Sequence, residues 1–299
     1  MDEPAVARLQ AEHDVLYDPK LVDDASRLQA EAASADVLIV RNRTQVRGAL
    51  LAASTRCKVV GRLGVGLDNI DMAGCEARNI RVIPATGANA LAVAEYVIAS
   101  AMLLLRGAYQ STLQVASGSW PREALGQGRE IGGKTLGLIG FGTIGQLTAK
   151  FAQALGMQVV AFDALLDQGD AAYANAGVGR TGLGALIAQA DVVSLHVPLV
   201  DETRGLFDAS RIAAMKPGAV LINTSRGGIV DEAALAAALK EGRLGGAAID
   251  VFEIEPLPAT AHLQDCPNLV LTPHIAGVTA EANTRVSNLI AEQVLEALR

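Results

Sequence analysis

Aromatic side chains are scarce. Five Phe, four Tyr and one Trp make up 3% of the 299 residues, so any core must be packed from Ala, Val, Leu and Ile. Cysteine is rarer still, with Cys57, Cys75 and Cys266 set far apart and none in a CxxC or CxxH pair. That arithmetic excludes a disulfide framework and the spacings of a zinc site, and fits reduced thiols in the cytoplasm. Basic runs are absent and acidic residues outnumber basic ones, 32 to 25, for a net charge of −7. A nucleic-acid footprint is not expected from such a balance. The opening Met1-Asp2-Glu3-Pro4 carries neither a basic region nor an apolar one and does not read as a signal peptide. The most apolar stretch, Ala90–Leu105, is interrupted by Glu95 and followed by Arg106. It is too short for a membrane span and reads as a buried or interface helix.

What is present is ample apolar material, 51% of the chain, in a pattern of short β-branched runs alternating with Ala-rich helical runs. The length suits about two domains of ~100–200 residues. Strands are expected at 14–17, 36–40, 58–62 and 81–83, with helices at 5–12, 25–33, 47–53 and 72–78 between them. The alternation opens on a helix where a βα series would open on a strand, which points to a strand missing at the start. A long helix is expected from Ala88 to about Gly118, where Gly118-Ser119-Trp120-Pro121 breaks it. Six more strands follow, at 135–139, 158–162, 191–196, 219–223, 246–251 and 268–271, and the chain closes on a helix over 279–298. Such alternation implies an α/β chain of two doubly wound parallel-sheet domains. Residues 1–87 with 274–299 form one, and 88–273 form the other.

Gly140-Phe141-Gly142-Thr143-Ile144-Gly145 matches GxGxxG, directly after the strand ending at Ile139 and opening a helix from Gln146. That context makes it a dinucleotide fingerprint. Gly140 permits the turn, Gly142 allows backbone approach to a pyrophosphate, and Gly145 allows helix and strand to pack closely. Asp163 ends the next strand, 18 residues beyond Gly145. A carboxylate there accepts from ribose hydroxyls and repels a 2′-phosphate, so NAD is expected rather than NADP.

Three further segments fall at the carboxyl ends of expected strands, the edge that faces ligand in open α/β sheets. They are Asn223–Gly228, Asp250–Pro256 and Thr272–Gly277. Oxidation of a secondary alcohol needs a base that titrates near neutrality, for which His is suited. It needs a carboxylate to orient that His, and a cation to fork onto a substrate carboxylate. His274, Glu255 and Arg226 supply one of each, although spacing alone does not bring them together.

With Gly64-Val65-Gly66-Leu67-Asp68-Asn69-Ile70-Asp71, Ala88–Glu95 and Ser194-Leu195-His196-Val197-Pro198-Leu199 added, the chain from about Asp36 onward resembles the D-isomer-specific 2-hydroxyacid dehydrogenases, and within them the D-3-phosphoglycerate dehydrogenase-like members. The resemblance implies a flavodoxin-like substrate domain and a Rossmann NAD domain. It implies hydride transfer between nicotinamide and a small D-2-hydroxy acid or its 2-keto acid, with Arg226, Glu255 and His274 catalytic. It implies NAD contacts at Thr143, Ile144, Asp163, Val197, Pro198, Thr224 and Asp250, besides the glycines. The backbone at Val65 and Gly66 would grip the substrate carboxylate, and the protein would be a cytoplasmic homodimer. Glu255 argues against formate oxidation, since relatives with that chemistry carry Gln there.

Arg41 and Arg43 follow one expected strand and Arg62 ends another. Arginines beyond Arg226 point to a substrate with a second anionic group, such as 3-phosphoglycerate or 3-sulfolactate. Two alternatives stand beside this reading. One is a glyoxylate or hydroxypyruvate reductase, in which those arginines are structural. The other is a non-enzymatic, NAD-sensing corepressor-like protein, because fold and motif do not by themselves fix function.

Overall fold

In a computed structural model, which describes residues 1–167, 169–259 and 262–299, the chain divides into two compact units. One comprises Met1–Asn89 with Val278–Arg299, the other Ala90–Gly277. Residues 274–277 cluster with the second unit because the amides of Ile275 and Ala276 donate to the Asp250 carboxylate.

The first unit contains helices α1 (Glu3–Gln10), α2 (Ala25–Ser34), α3 (Gly48–Ala53) and α4 (Met72–Glu76) and strands β1 (Val37–Val40), β2 (Val59–Arg62) and β3 (Arg81–Pro84). The strands form a parallel sheet in the order β1-β2-β3, with Ile39 beside Gly61 and Gly61 beside Ile83. One face is buried with α1 and the C-terminal helix Ala280–Ala297, through Ala5, Leu9, Ile290 and Val294. The other is buried with α2, α3 and α4 through Ala32, Leu50, Leu51 and Cys75. The carboxylates of Asp24 and Asp71 cap α2 and α4, and the Thr279 hydroxyl caps the C-terminal helix. The strand expected at 14–17 does not form. Leu16 and Tyr17 are 54% and 42% exposed, and the Tyr17 hydroxyl donates to the Met1 carbonyl. Val15 packs at the margin of the core, but the rest of the segment is exposed and pairs with no strand.

The second unit is a seven-stranded parallel sheet: β4 (Thr135–Ile139), β5 (Gln158–Phe162), β6 (Gly179–Arg180), β7 (Val192–Leu195), β8 (Val220–Asn223), β9 (Gly246–Ile249) and β10 (Leu269–Leu271). Its order is β10-β9-β8-β7-β4-β5-β6. The two-residue β6, beside Val160 and Ala161, brings the strand count to seven rather than the expected six. Its helices are α5 (Ala90–Arg106), α6 (Thr112–Ala116), α7 (Arg122–Leu125), α8 (Thr143–Ala154), α9 (Ala171–Ala176), α10 (Leu183–Gln189), α11 (Ala209–Ala214) and α12 (Glu232–Lys240). The helix expected to run unbroken to about Gly118 stops at Arg106. Gly107 takes a left-handed conformation, φ 66°, and a 3-10 turn and the short α6 follow.

β7, β8 and β9 are buried along their whole length, which is why they read as continuous apolar runs. α5, α8 and α9 cover one face, with Val97, Leu104, Ala149 and Tyr173 in that core. α10, α11 and α12 cover the other, with Leu186, Ile212 and Leu235. Strand order reverses between β4 and β7, the position at which ligands bind in doubly wound sheets. Among the described residues, no helix is long and apolar enough to cross a membrane.

Candidate active site

The glycine loop lies at that reversal. Gly140 has φ 93°, and a Cβ on it would fall 2.2 Å from the His196 carbonyl oxygen, so only glycine fits beside β7. A Cβ on Gly145 would fall 2.5 Å from the Gly140 carbonyl oxygen. Gly142 differs: beyond its own chain neighbours, no atom of the described residues lies within 4 Å of such a Cβ. The space over the start of α8 is open, and that helix begins at Thr143 and Ile144 with no side-chain cap. An uncapped helix N-terminus with room above it is suited to a phosphate. Asp163 follows β5, and its two carboxylate oxygens accept from the amides of Phe141 (2.7 Å) and Leu165 (2.9 Å). The carboxylate is thereby tied to the glycine loop, and each oxygen keeps a lone pair for a ribose hydroxyl. The Thr224 hydroxyl oxygen, just past β8, is buried and bonded to no protein group among the described residues. The open cradle, the tethered acid and the orphaned hydroxyl all fit a dinucleotide along this edge, as do Val197 and Pro198 just past β7.

His196 belongs to the support of this edge. Its Nε2 lies 3.0 Å from the Ser194 hydroxyl, and burial pushes its pKa down to about 4. The imidazole is neutral at physiological pH.

The catalytic candidates lie past the neighbouring strands. After β8, the side chain of Asn223 closes a turn by accepting from the Ser225 amide and donating to the Arg226 carbonyl, each at 3.0 Å. Ser225 is anchored to Leu195 of β7 through its hydroxyl (2.6 Å). Arg226 therefore leaves a rigid turn, half-buried, with Nη1 donating to the Ser225 carbonyl at 2.6 Å. After β9, Asp250 is 1% exposed. Its Oδ1 accepts from the Thr272 hydroxyl (2.6 Å) and the Ile275 amide (2.8 Å), and its Oδ2 from the Ala276 amide (2.8 Å). Its carbonyl accepts from the His274 amide at 2.8 Å. These bonds hold His274 at φ 57°, a left-handed conformation costly for a residue with a Cβ.

Glu255 meets His274: Oε2 lies 2.7 Å from Nδ1, and Oε1 accepts from the Phe252 amide at 3.1 Å. An ionised carboxylate can only accept, so Nδ1 carries a proton and Nε2 is the atom left to exchange one. Both side chains are about one-third exposed, as an exchanging pair must be.

The arginines of the first unit lie at the carboxyl edge of its own sheet. Arg62 is buried and donates to the Leu63 carbonyl (2.8 Å) and Asn69 Oδ1 (3.2 Å). A Cβ on Gly64, whose φ is 154°, would fall 2.4 Å from Arg62 Nη1. The guanidinium thus lies against the loop that continues to Val65 and Gly66. Asn69 also donates to the Arg41 and Thr44 carbonyls, binding the two Arg-bearing loops together. The Arg41 side chain donates to Asn283 at 3.2 Å, whereas Arg43 forms an ion pair with Asp23. Asn69 and Asn223 lie within motifs legible in the sequence, but their bracing roles carry no signal there.

A reversed parallel sheet with this glycine loop, an acid tied to it and a Glu–His pair defines an NAD-dependent oxidoreductase. A family model, "D-isomer specific 2-hydroxyacid dehydrogenase, NAD binding domain", matches residues 98–276. The (S)-sulfolactate dehydrogenase of Chromohalobacter salexigens is 52% identical over 298 residues, covering 100% of this chain and 96% of that protein. The D-3-phosphoglycerate dehydrogenase of Bacillus subtilis is 41% identical over 87% of this chain, which spans about half (49%) of its length. The crystal structure of D-lactate dehydrogenase from Aquifex aeolicus, complexed with NAD and lactic acid, matches with a TM-score of 0.81 and 30% identity, covering 90% of this chain and 84% of that one. The chain belongs to the D-isomer specific 2-hydroxyacid dehydrogenase family and is an NAD-dependent enzyme of that class.

Proposed function

We propose that the protein oxidises (S)-3-sulfolactate, or reduces the corresponding 2-keto acid, with Arg226, Glu255 and His274 as its catalytic residues. The observation that carries the choice of substrate is the buried Arg62, laid against the Gly64 loop and tied through Asn69 to the Arg41 loop. It occurs in a chain whose likeness to a sulfolactate dehydrogenase runs its full length. Arg62 and Arg41 are the proposed sulfonate ligands. Arg43 is assigned to structure, because Asp23 takes up its charge. The amides of Val65 and Gly66 are proposed to hold the substrate carboxylate. The configuration agrees with the family. The sulfur-bearing carbon of sulfolactate outranks its carboxyl group, so the spatial arrangement called D in lactate carries the descriptor S.

In this reading Arg226 forks onto the carboxylate and the oxygen of the reacting carbon, and His274 Nε2 takes the hydroxyl proton while Glu255 holds Nδ1. NAD, when bound along Gly140–Gly145, Asp163, Val197, Pro198, Thr224 and Asp250, supplies the two-electron acceptor.

NADH formation on a panel of both sulfolactate enantiomers, 3-phosphoglycerate, glycerate and lactate tests the proposal. Two charge-assisted bonds at roughly 1.5–3 kcal/mol each should favour (S)-sulfolactate over D-lactate by about 10²-fold or more in kcat/KM. Equal values would remove the second anion site and leave a general 2-hydroxyacid dehydrogenase. A preference for glycerate would favour a hydroxypyruvate reductase. NADH binding without turnover of any acid would favour the sensor reading.

We also infer a homodimer, working in the reducing cytoplasm that three free cysteines suit. Tyr109, Leu113 and Trp120 are 63%, 84% and 76% exposed along one segment after α5. Large apolar side chains at that exposure along one segment are suited to cover by a second copy. Light scattering should return twice the chain mass for the wild type and a lower mass for Leu113→Glu. A monomeric wild type at micromolar concentration would overturn the inference.

A further inference from the structure

A chain of hydroxyl groups runs from helix α5 to the buried carboxylate that shapes the His274 loop. The Tyr96 phenol oxygen lies 2.6 Å from Thr272 Oγ1, which lies 2.6 Å from Asp250 Oδ1. Its direction follows from proton counting. The carboxylate has no proton to give, so Thr272 donates to Asp250. With its one proton spent, Thr272 can only accept from Tyr96. Burial pushes the Tyr96 phenol up from its ordinary value, so it keeps its proton at neutral pH and stays the donor.

Asp250 is the hub of the loop, accepting from Thr272, Ile275 and Ala276 through its carboxylate and from His274 through its carbonyl. A left-handed His persists only where its surroundings over-determine the backbone. The Thr272 hydroxyl supplies one of those restraints. Tyr96 holds the same oxygen from the far side.

We propose that Tyr96 is a positioning residue for His274, acting through Thr272 and Asp250. The proposal rests on the reading of His274 as the acid/base. It extends the catalytic machinery to α5, a helix that sequence patterning marks only as apolar.

The test compares Tyr96→Phe, Thr272→Val, the double variant and Thr272→Ser in the full chain. Each is measured for turnover, NADH affinity and local amide hydrogen exchange. Tyr96→Phe should lower kcat by about three- to tenfold, the size of one lost hydrogen bond. KM for the hydroxy acid and the NADH Kd should stay near wild type, and exchange should rise at residues 274–276 but not across α5. Tyr96→Phe should cost nothing further in the Thr272→Val background, because the two act as one unit. Thr272→Ser, which keeps the hydroxyl, should recover most of the Thr272→Val loss.

Multiplicative losses in the double variant would overturn the proposal, as would unchanged exchange at 274–276. A loss of NADH affinity in step with kcat would overturn it too, by making Tyr96 a general structural residue. If the wild type turns over no hydroxy acid, the enzymatic reading fails while the exchange data still decide the clamp. If the wild type is active and exchange at 274–276 does not respond, the clamp alone fails.

Discussion

His274→Gln is expected to lower kcat by about 10²–10⁴-fold, the span that general acid–base catalysis supplies, with NADH affinity nearly unchanged. Gln keeps an amide that can donate to Glu255 but has no group that titrates near neutrality. The variant therefore removes the proton exchange at Nε2 while leaving a partner for the carboxylate that orients Nδ1 at 2.7 Å. The left-handed backbone at φ 57° stays accessible to Gln, which like His carries an unbranched Cβ, although His is the commoner residue in that region. The bonds of the Asp250 hub go to main-chain amides and to Thr272, so the substitution leaves them in place. His196 is a poor substitute: its pKa, lowered to about 4, makes it a weak base at neutral pH, and its Nε2 is engaged by the Ser194 hydroxyl. The measurement is a pair of kcat profiles against pH with NADH titrations alongside. A variant with unchanged kcat would remove His274 from the chemistry, and one that loses NADH binding equally would make it a cofactor residue instead.

The parts of the molecule legible in the sequence are those whose cause is local. The runs at 192–195 and 220–223 read as strands because they are buried on both faces and so carry no polar alternation. The loop at 140–145 was readable because the approach of β7 through the His196 carbonyl excludes every side chain at Gly140. Helix starts at Asp24, Asp71, Asp170, Asp208 and Asp231 carry their caps in the sequence. What was not legible depends on distant partners. The segment at 14–17 has the composition of a strand but pairs with none, whereas Gly179–Arg180, with hardly any composition to read, is a strand through its pairing with β5. Gly107 sits in a helical pattern and ends it, because glycine adopts the left-handed conformation at little cost.

The site divides in the same way. Arg226, Glu255 and His274 were individually ordinary residues until the family pattern grouped them, and the structure joins Glu255 and His274 by a direct bond. The restraints behind that pair have no sequence signature. Tyr96 and Thr272 are 176 positions apart, and nothing in a Tyr on an apolar helix announces a proton donor to a distant hydroxyl. Asp250 was read as a cofactor contact. Its carboxylate accepts three hydrogen bonds from the His274 loop, a shaping role that stands whether or not the residue also touches the cofactor.

Arg226→Gln should lower kcat/KM for the hydroxy acid by about 10²–10³-fold, within the 2–5 kcal/mol range for losing one member of a desolvated charge pair. The side chain is half-buried and leaves a turn fixed by Asn223 and by the Ser225 bond to Leu195. The guanidinium therefore approaches a ligand without ordering new backbone, and little of its interaction is spent on entropy. Its planar fork can meet a carboxylate oxygen and the oxygen of the reacting carbon together, which a neutral amide cannot match in charge or a point-charge ammonium in geometry. Arg226→Lys should accordingly recover about tenfold of the loss by restoring charge alone. NADH affinity should change little in either variant, because none of the proposed cofactor contacts uses the Arg226 guanidinium. Fold stability should also hold, since Asn223 and Ser225 close the turn through bonds that do not involve the guanidinium. Equal kcat/KM in wild type and Arg226→Gln would remove Arg226 from substrate binding.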